Sequence, residues 1–110
     1  MSNVYIAGPM TGIPEWNYPA FHAAAELIEA MGDVALNPAE QDLDFAREHE
    51  AEPDLIRQTY LRHDLALLST ADSITVLPGW ENSRGATWEV SVGRMLGLPV
   101  RRFGTWEPVE

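Results

Sequence analysis

The sequence contains no cysteine and no lysine, and both absences narrow the chemistry open to it. Without cysteine there is no disulfide framework, no thiol nucleophile and no cysteine-ligated zinc site. Positive charge is scarce, because 7 basic residues, all of them arginine, face 17 acidic residues and leave a net charge of −10. Such a chain repels phosphate backbones, so we expect no nucleic-acid partner. A helix N-terminus and a local arginine can still hold a small anion, because they outweigh a distant net charge.

Long apolar runs are also missing. Nothing in the sequence approaches the roughly 18 consecutive apolar residues of a membrane span. The N-terminus lacks the basic start and apolar stretch of a secretory signal. We therefore expect no membrane partner and a cytoplasmic location. The 110 residues, of which 45% are hydrophobic and 22% charged, predict one globular domain over residues 1–110.

Short apolar segments alternate with helical patterns along the chain. Segments that end at or near glycine or proline predict strands over residues 3–8, 33–38, 73–78 and 98–103. Apolar spacing predicts helices over residues 18–31, 54–71 and about 86–96, and the acidic connection of residues 39–54 is expected to be partly helical around residues 43–50. Apolar rather than alternating strands predict an α/β fold, a doubly wound, flavodoxin-like parallel sheet of four to five strands with helices on both faces.

Two acids lie in helices beside apolar residues. Glu89 is expected in the first turn or so of its helix, where the helix dipole favours a carboxylate, so a stabilising acid and a functional one are both open. Asp64 lies between Leu61 and Leu68, at the edge of a face predicted to be apolar and to include Leu65. A desolvated carboxylate there would have a raised pKa suited to proton donation, and an exposed or arginine-paired aspartate is the alternative.

The aromatic residues and histidines allow fewer conclusions. Tyr5 lies on the first strand, where core packing alone would explain it. His63 lies beside Asp64 but is not spaced with the other histidines as a ligand set, so we expect no metal and no cofactor. Trp16 and Trp80 lie in loops beyond the strands' carboxyl ends, where a doubly wound sheet binds ligands. They either stack on a flat base or bury a subunit contact.

Four segments in order carry a resemblance over about residues 4–100: "YIAGPMTG", "NPAE", "RHDLALLSTADSITVLPGW" and "SRGATWEVSVGRMLGLPV". Together they resemble the nucleoside 2-deoxyribosyltransferase superfamily, which includes the small 2'-deoxynucleoside 5'-phosphate N-hydrolases. The likeness is strongest to short phage and bacterial relatives of unassigned function. Each segment is weak alone, whereas four at the right distances are fairly specific.

The resemblance implies roles for particular residues. Glu89 falls on the family's nucleophilic glutamate, Asp64 on the aspartate that protonates or holds the base, and Tyr5 on the tyrosine that orients the nucleophile. Ser83 and Gly85 match positions that hold the 5'-phosphate in the hydrolases. The first loop has Pro9 and Thr11 where those hydrolases have serine and arginine, a departure for which Arg84 would compensate. The substrate contacts predicted from these loops are Gly8, Pro9, Met10, Asn37, Trp80, Asn82, Ser83, Arg84 and Gly85.

The implied reaction is cleavage or transfer of the bond between a base and 2-deoxyribose, with a small nucleoside or nucleotide as substrate. Two acids divide the work as in retaining glycosidases. The rival interpretation is a nucleotide-binding module that senses or sequesters its ligand without turnover, and a third is a structural subunit of an assembly. The resemblance and the four tryptophans also predict a homo-oligomer.

Overall fold

The computed structural model describes residues 1–40 and 53–109, so the predicted helix around residues 43–50 lies outside the described residues. The strands are β1 Asn3–Ala7, β2 Val34–Leu36, β3 Ser73–Val76 and β4 Val100–Arg102. The helices are α1 Tyr18–Ala30, α2 Pro53–Ser69 and α3 Arg84–Met95, with short 3-10 turns at Pro14–Asn17 and Trp80–Asn82. A further helical turn begins at residue 38. The four predicted strands and the helices at these positions are confirmed.

All four strands are parallel and lie in the order β2-β1-β3-β4. The chain moves from β1 outward to β2 and then returns to the other side of β1 to form β3. The strand order therefore reverses between β1 and β3, and a doubly wound sheet opens a crevice at the carboxyl ends of these two strands.

The alternation of side chains along β1 divides the core into two layers. Val4 and Ile6 pack with Phe21 and Ile28 of α1 on one face of the sheet. Tyr5 and Ala7 face the opposite way, into a cluster that contains buried residues of α2 and α3, namely Leu68, Ala86 and Val90. Helices therefore cover both faces, as predicted, and Tyr5 lies on the face shared with α2 and α3.

Helix α3 packs tightly on β3 because Gly93 has no side chain. A Cβ atom at Gly93 would lie 2.2 Å from Cδ1 of Ile74. Beyond β4 the chain turns back, so that Pro108 forms an antiparallel bridge with Arg101. The guanidinium of Arg94 donates to the carbonyl of Val109 at 3.2 Å and ties this segment to the end of α3.

The predicted apolar face of α2 is only partly buried. Leu68 is fully buried, whereas Leu61 and Leu65 are 40% and 41% exposed. Leu61 and Leu65 therefore contribute less to the core of the single chain than Leu68 does. Helix α3 packs beside the last turns of α2.

Candidate active site

The site is built around a buried pair from distant parts of the chain. Tyr5 on β1 is fully buried, and Glu89 on α3 is 8% exposed. The Tyr5 hydroxyl donates a hydrogen bond to Oε2 of Glu89. The sequence gives the reason for this contact, because Tyr5 alternates onto the face that α3 covers and Glu89 lies beside the buried Val90. An acid and a phenol 84 positions apart thus form one polar contact inside an apolar cluster.

Glu89 lies deeper in its helix than predicted. Helix α3 begins at Arg84 rather than near Ala86, with Ser83 as its N-cap, so Glu89 is in the second turn. The dipole effect weakens beyond the first turn and does not keep this carboxylate charged. Burial instead raises the pKa of Glu89 from its usual 4.5 to about 8, because desolvation disfavours the charged form. The expectation of an anion stabilised by the helix start is therefore wrong, because burial favours the neutral acid.

Asp64 lies on α2, the other helix of the same layer. It is half-buried, and one of its carboxylate oxygens has no contact with solvent. Asp64 precedes Leu68 by one helical turn, so both are on the same side of α2, and Leu68 packs in the cluster that holds Tyr5. Asp64 and Glu89 thus come from neighbouring helices on one face of the sheet.

The first loop begins with a close approach between two strand ends. A Cβ atom at Gly8 would lie 2.9 Å from Cβ of Leu77, so only glycine allows β1 to end this close to the end of β3. Pro9 and Met10 follow and are half-buried. The side chain of Asn17 donates to the carbonyl of Pro9 at 2.9 Å, and this contact fixes the start of the loop.

Asn37 has a structural role that the sequence did not reveal. It is 6% exposed, and its Oδ1 accepts a hydrogen bond from the backbone N–H of Ala39 at 3.0 Å, as an N-cap does. Its Nδ2 contacts Nδ1 of His22 at 3.1 Å. His22 therefore positions Asn37. The sequence did not indicate this role for His22, because the histidines were considered only as metal ligands and their spacing fits no such set.

The loop before α3 divides into capping and exposed residues. Oγ of Ser83 accepts from the backbone N–H of Ala86 at 3.2 Å, so this hydroxyl is the helix cap and can still donate its own proton to a ligand. Asn82, Arg84 and Gly85 are exposed. A Cβ atom at Gly85 would meet nothing closer than 4.0 Å, so no neighbouring residue requires glycine here for space.

Trp80 contacts both the cluster around Tyr5 and a separate cavity. Its ring is half-buried against the cluster that contains Tyr5, whereas Trp16 is 58% exposed. Trp80 also lines a cavity of about 230 Å³ together with Glu81, Arg102, Phe103 and Thr105. The last three follow or end β4 and were missed, because the predicted fourth strand over residues 98–103 and the residues after it were not considered for a site. The two adjacent arginines at the carboxyl end of a strand were the available signal.

Residues 1–40 and 53–109 contain no group of three histidine, aspartate or glutamate side chains suited to hold a metal ion. Within the same ranges, no helix combines the length and apolar character that a bilayer span requires.

Comparisons with known proteins agree with this architecture. Residues 2–102 match the family described as "Domain of unknown function (DUF4406)". No curated protein matches the sequence. Among solved structures, a 2-deoxyribosyltransferase from Bacillus psychrosaccharolyticus superposes with a TM-score of 0.72 at 21% sequence identity, covering 92% of this chain and 71% of that one. The predicted fold class and the likeness to the nucleoside 2-deoxyribosyltransferase fold are thus confirmed.

Proposed function

This chain belongs to the DUF4406 family, whose description names no activity, and we propose that it cleaves or transfers the N-glycosidic bond of 2'-deoxynucleosides or their 5'-monophosphates. The observation that carries the proposal is the buried hydrogen bond between Tyr5 and Glu89. A carboxyl group is placed in the apolar interior on the α2–α3 face, behind the crevice of a doubly wound sheet. The solved 2-deoxyribosyltransferase has the same fold, and its activity supports the choice of substrate class.

The chemistry divides between two acids. Glu89, once ionised, attacks the anomeric carbon of the sugar as the bond to the base breaks, and the electron pair of that bond leaves with the base. Asp64 donates a proton to the departing base. Water then releases the sugar from Glu89, which gives a hydrolase, or a second base takes the sugar, which gives a transferase.

Tyr5 positions the nucleophile. Its hydroxyl holds one carboxylate oxygen of Glu89 and leaves the other oxygen for the sugar. Desolvation opposes ionisation of Glu89. The positive charge that develops on the sugar in an oxocarbenium-like transition state offsets that opposition. An interaction that strengthens as the bond breaks accelerates the reaction rather than merely binding the substrate.

The remaining predicted contacts lie in the loops around this crevice. Gly8, Pro9 and Met10 would lie along the sugar, and Asn37 would contribute its carboxamide from the end of β2. Ser83 would donate its hydroxyl proton to a 5'-phosphate while its oxygen caps α3. Arg84 supplies an exposed positive charge beside that cap.

A panel assay tests the proposal. The protein is incubated with deoxynucleosides and their 5'-monophosphates carrying each base, with and without a free acceptor base, and the products are separated by chromatography. We expect free base to appear with at least one substrate. Release without an acceptor indicates a hydrolase, and a new nucleoside indicates a transferase. Matched ribonucleosides are the control, because their 2-hydroxyl withdraws electrons and slows the same cleavage.

Binding without turnover is the second candidate, and the protonation of Glu89 favours it. A neutral carboxyl group is a poor nucleophile but a good hydrogen-bond donor to a ligand. On this alternative, calorimetry detects a deoxynucleotide that is afterwards recovered intact. Free base in the same sample would exclude it.

The exposed apolar residues of α2 and α3 support a homo-oligomer. Leu61 and Leu65 lie one turn apart on α2, and Trp88 and Met95 lie two turns apart on α3. These side chains are 39–78% exposed in the single chain, and the two helices are neighbours. Large exposed apolar side chains on two neighbouring helices are consistent with a subunit contact.

We expect sedimentation velocity at micromolar concentration to give a mass at least twice the 12.3 kDa of one chain. Leu65→Arg should shift the protein toward the monomer, because a charge then lies within the contact. Leu27→Arg is the matched control, since Leu27 is 42% exposed on α1, across the sheet. A wild-type protein that sediments only as a 12.3 kDa species would contradict the oligomer.

A further inference from the structure

The cavity beyond β3 and β4 is separate from the Tyr5–Glu89 pair. Val76 at the end of β3 is in register with Arg102 at the end of β4, so the loops after the two strands leave the sheet side by side. The cavity of about 230 Å³ lies between these loops. Neither Tyr5 nor Glu89 lines it. It therefore requires its own explanation.

The lining combines two rings with two opposite charges. Trp80 and Phe103 supply aromatic surface, Arg102 supplies guanidinium donors, and Glu81 supplies carboxylate acceptors. Within residues 1–40 and 53–109, the structure shows no ion pair or hydrogen bond for the side chains of Arg102 and Glu81. Both charged groups are exposed and available to a ligand.

The indole N–H of Trp80 is an additional donor. It is buried and has no hydrogen-bond partner among the described residues. A buried donor left unsatisfied is unfavourable, and such groups are rare enough to need a reason. The unsatisfied group thus lies on the residue that forms one wall of the cavity.

We propose that this cavity is a second ligand site and that its ligand is a free nucleobase, a planar heterocycle with hydrogen-bond donors and acceptors on its edge. The rings of Trp80 and Phe103 offer stacking surfaces for such a plane. Arg102 donates in a planar fork that suits adjacent ring-nitrogen and carbonyl acceptors. Glu81 accepts from amino or ring N–H groups. The site thus offers donors to the acceptor groups of a base and acceptors to its donor groups.

Other ligand classes fit the lining less well. A simple anion would meet Arg102 but also the carboxylate of Glu81, in a chain whose net charge is −10. A cation would meet the rings and Glu81 but also the Arg102 guanidinium. The volume of about 230 Å³ is below the roughly 300 Å³ at which pockets for drug-sized ligands begin, which favours a base over a whole nucleotide.

Nuclear magnetic resonance of the indole N–H groups tests the proposal without any catalytic readout. The chain has 4 tryptophans, and the Trp80→Phe variant identifies the Trp80 signal. Adenine, hypoxanthine and cytosine are the probes. Benzimidazole is the control for a bicyclic ring without exocyclic groups, and orthophosphate is the control for an anion. We expect at least one base to shift the Trp80 signal saturably and both controls to leave it in place.

Variants separate this site from the one around Glu89. Arg102→Gln and Glu81→Gln should each weaken base binding by about tenfold, since each removes hydrogen bonds to a charged group. Arg101→Gln, at the neighbouring position that does not line the cavity, should bind as the wild type does. Glu89→Gln should also retain binding, so the result is independent of the proposed function. The proposal is overturned if no base shifts the signal, if orthophosphate alone does, if Arg102→Gln binds equally well, or if Glu89→Gln abolishes the shift.

Discussion

Replacing Glu89 by glutamine is expected to reduce base release by about a thousandfold or more. Glutamine keeps the size and polarity of the side chain, and its amide oxygen still accepts the hydrogen bond from Tyr5. It has no carboxylate to form a bond with the anomeric carbon. The loss should therefore fall on kcat, since the affected interaction forms only as the bond to the base breaks. The measurement is the initial rate of base release on the best substrate of the panel.

Three comparison variants assign this loss to a nucleophile rather than to damage. Glu26→Gln alters an exposed acid on α1, across the sheet, and should retain the wild-type rate. Asp64→Asn should slow substrates with poor leaving bases more than those with good ones, because a general acid matters most when the base needs a proton. Tyr5→Phe should cost less than Glu89→Gln, since Tyr5 only orients the reacting group. Base release from Glu89→Gln at the wild-type rate, with unchanged circular dichroism, would end the nucleophile proposal.

The fold was predictable because its signals are local. The strand over Asn3–Ala7 is apolar and ends before a Gly-Pro pair, and the helix over Tyr18–Ala30 has proline in its first turn. Apolar strands separated by helices leave few arrangements other than a parallel sheet covered on both faces. Even the error of two residues at the start of α3 has a local cause. Ser83 is the N-cap, so Arg84 and Gly85 belong to the helix although neither side chain indicates it.

The burial and protonation of the site residues were less predictable, because they depend on contacts between residues that are distant in the sequence. The position of Glu89 in a helix suggested a charged group, whereas Tyr5, 84 positions away, lies against it inside the core. The depth at which a helix residue is buried depends on the strand beneath it. The cavity at Arg102 has the same origin, because the register of β3 with β4 brings the end of β4 beside the Trp80 loop. The sequence indicates which residues carry chemistry but not the surroundings that set their pKa.

The protonation of Glu89 also predicts how stability depends on pH. Its pKa is about 8 in the folded chain and near 4.5 when unfolded. Below pH 4.5 the carboxyl group of Glu89 is protonated in both states and leaves the free energy of unfolding unchanged. Between pH 4.5 and pH 8 the unfolded chain releases the proton and the folded chain keeps it, so the folded state loses stability as the pH rises. The slope is at most about 1.4 kcal/mol per pH unit, and the loss levels off above pH 8.

Urea unfolding of the wild type and of Glu89→Gln at pH 5, 6, 7, 8 and 9, at one protein concentration, measures this effect. Glutamine is neutral at every pH, so the advantage of the variant should grow by several kcal/mol from pH 5 to pH 8 and then stay constant. Other titrating groups are common to both proteins and cancel in the difference. Glu26→Gln should show a constant difference from the wild type, because Glu26 is exposed.

The same ionisation links stability to activity. If Glu89 must lose its proton to act, base release should rise over the pH range in which the wild type loses stability relative to Glu89→Gln, reach half its maximum near pH 8 and level off above it. The pH at which the rate is half-maximal is the pH at which the loss of stability levels off, because the pKa of Glu89 in the folded chain determines both. A constant stability difference across the series would mean that Glu89 ionises near its usual pKa, so that the anion is already present at neutral pH. In that case the rise in rate would also move to acid pH, and both halves of the prediction would fail together.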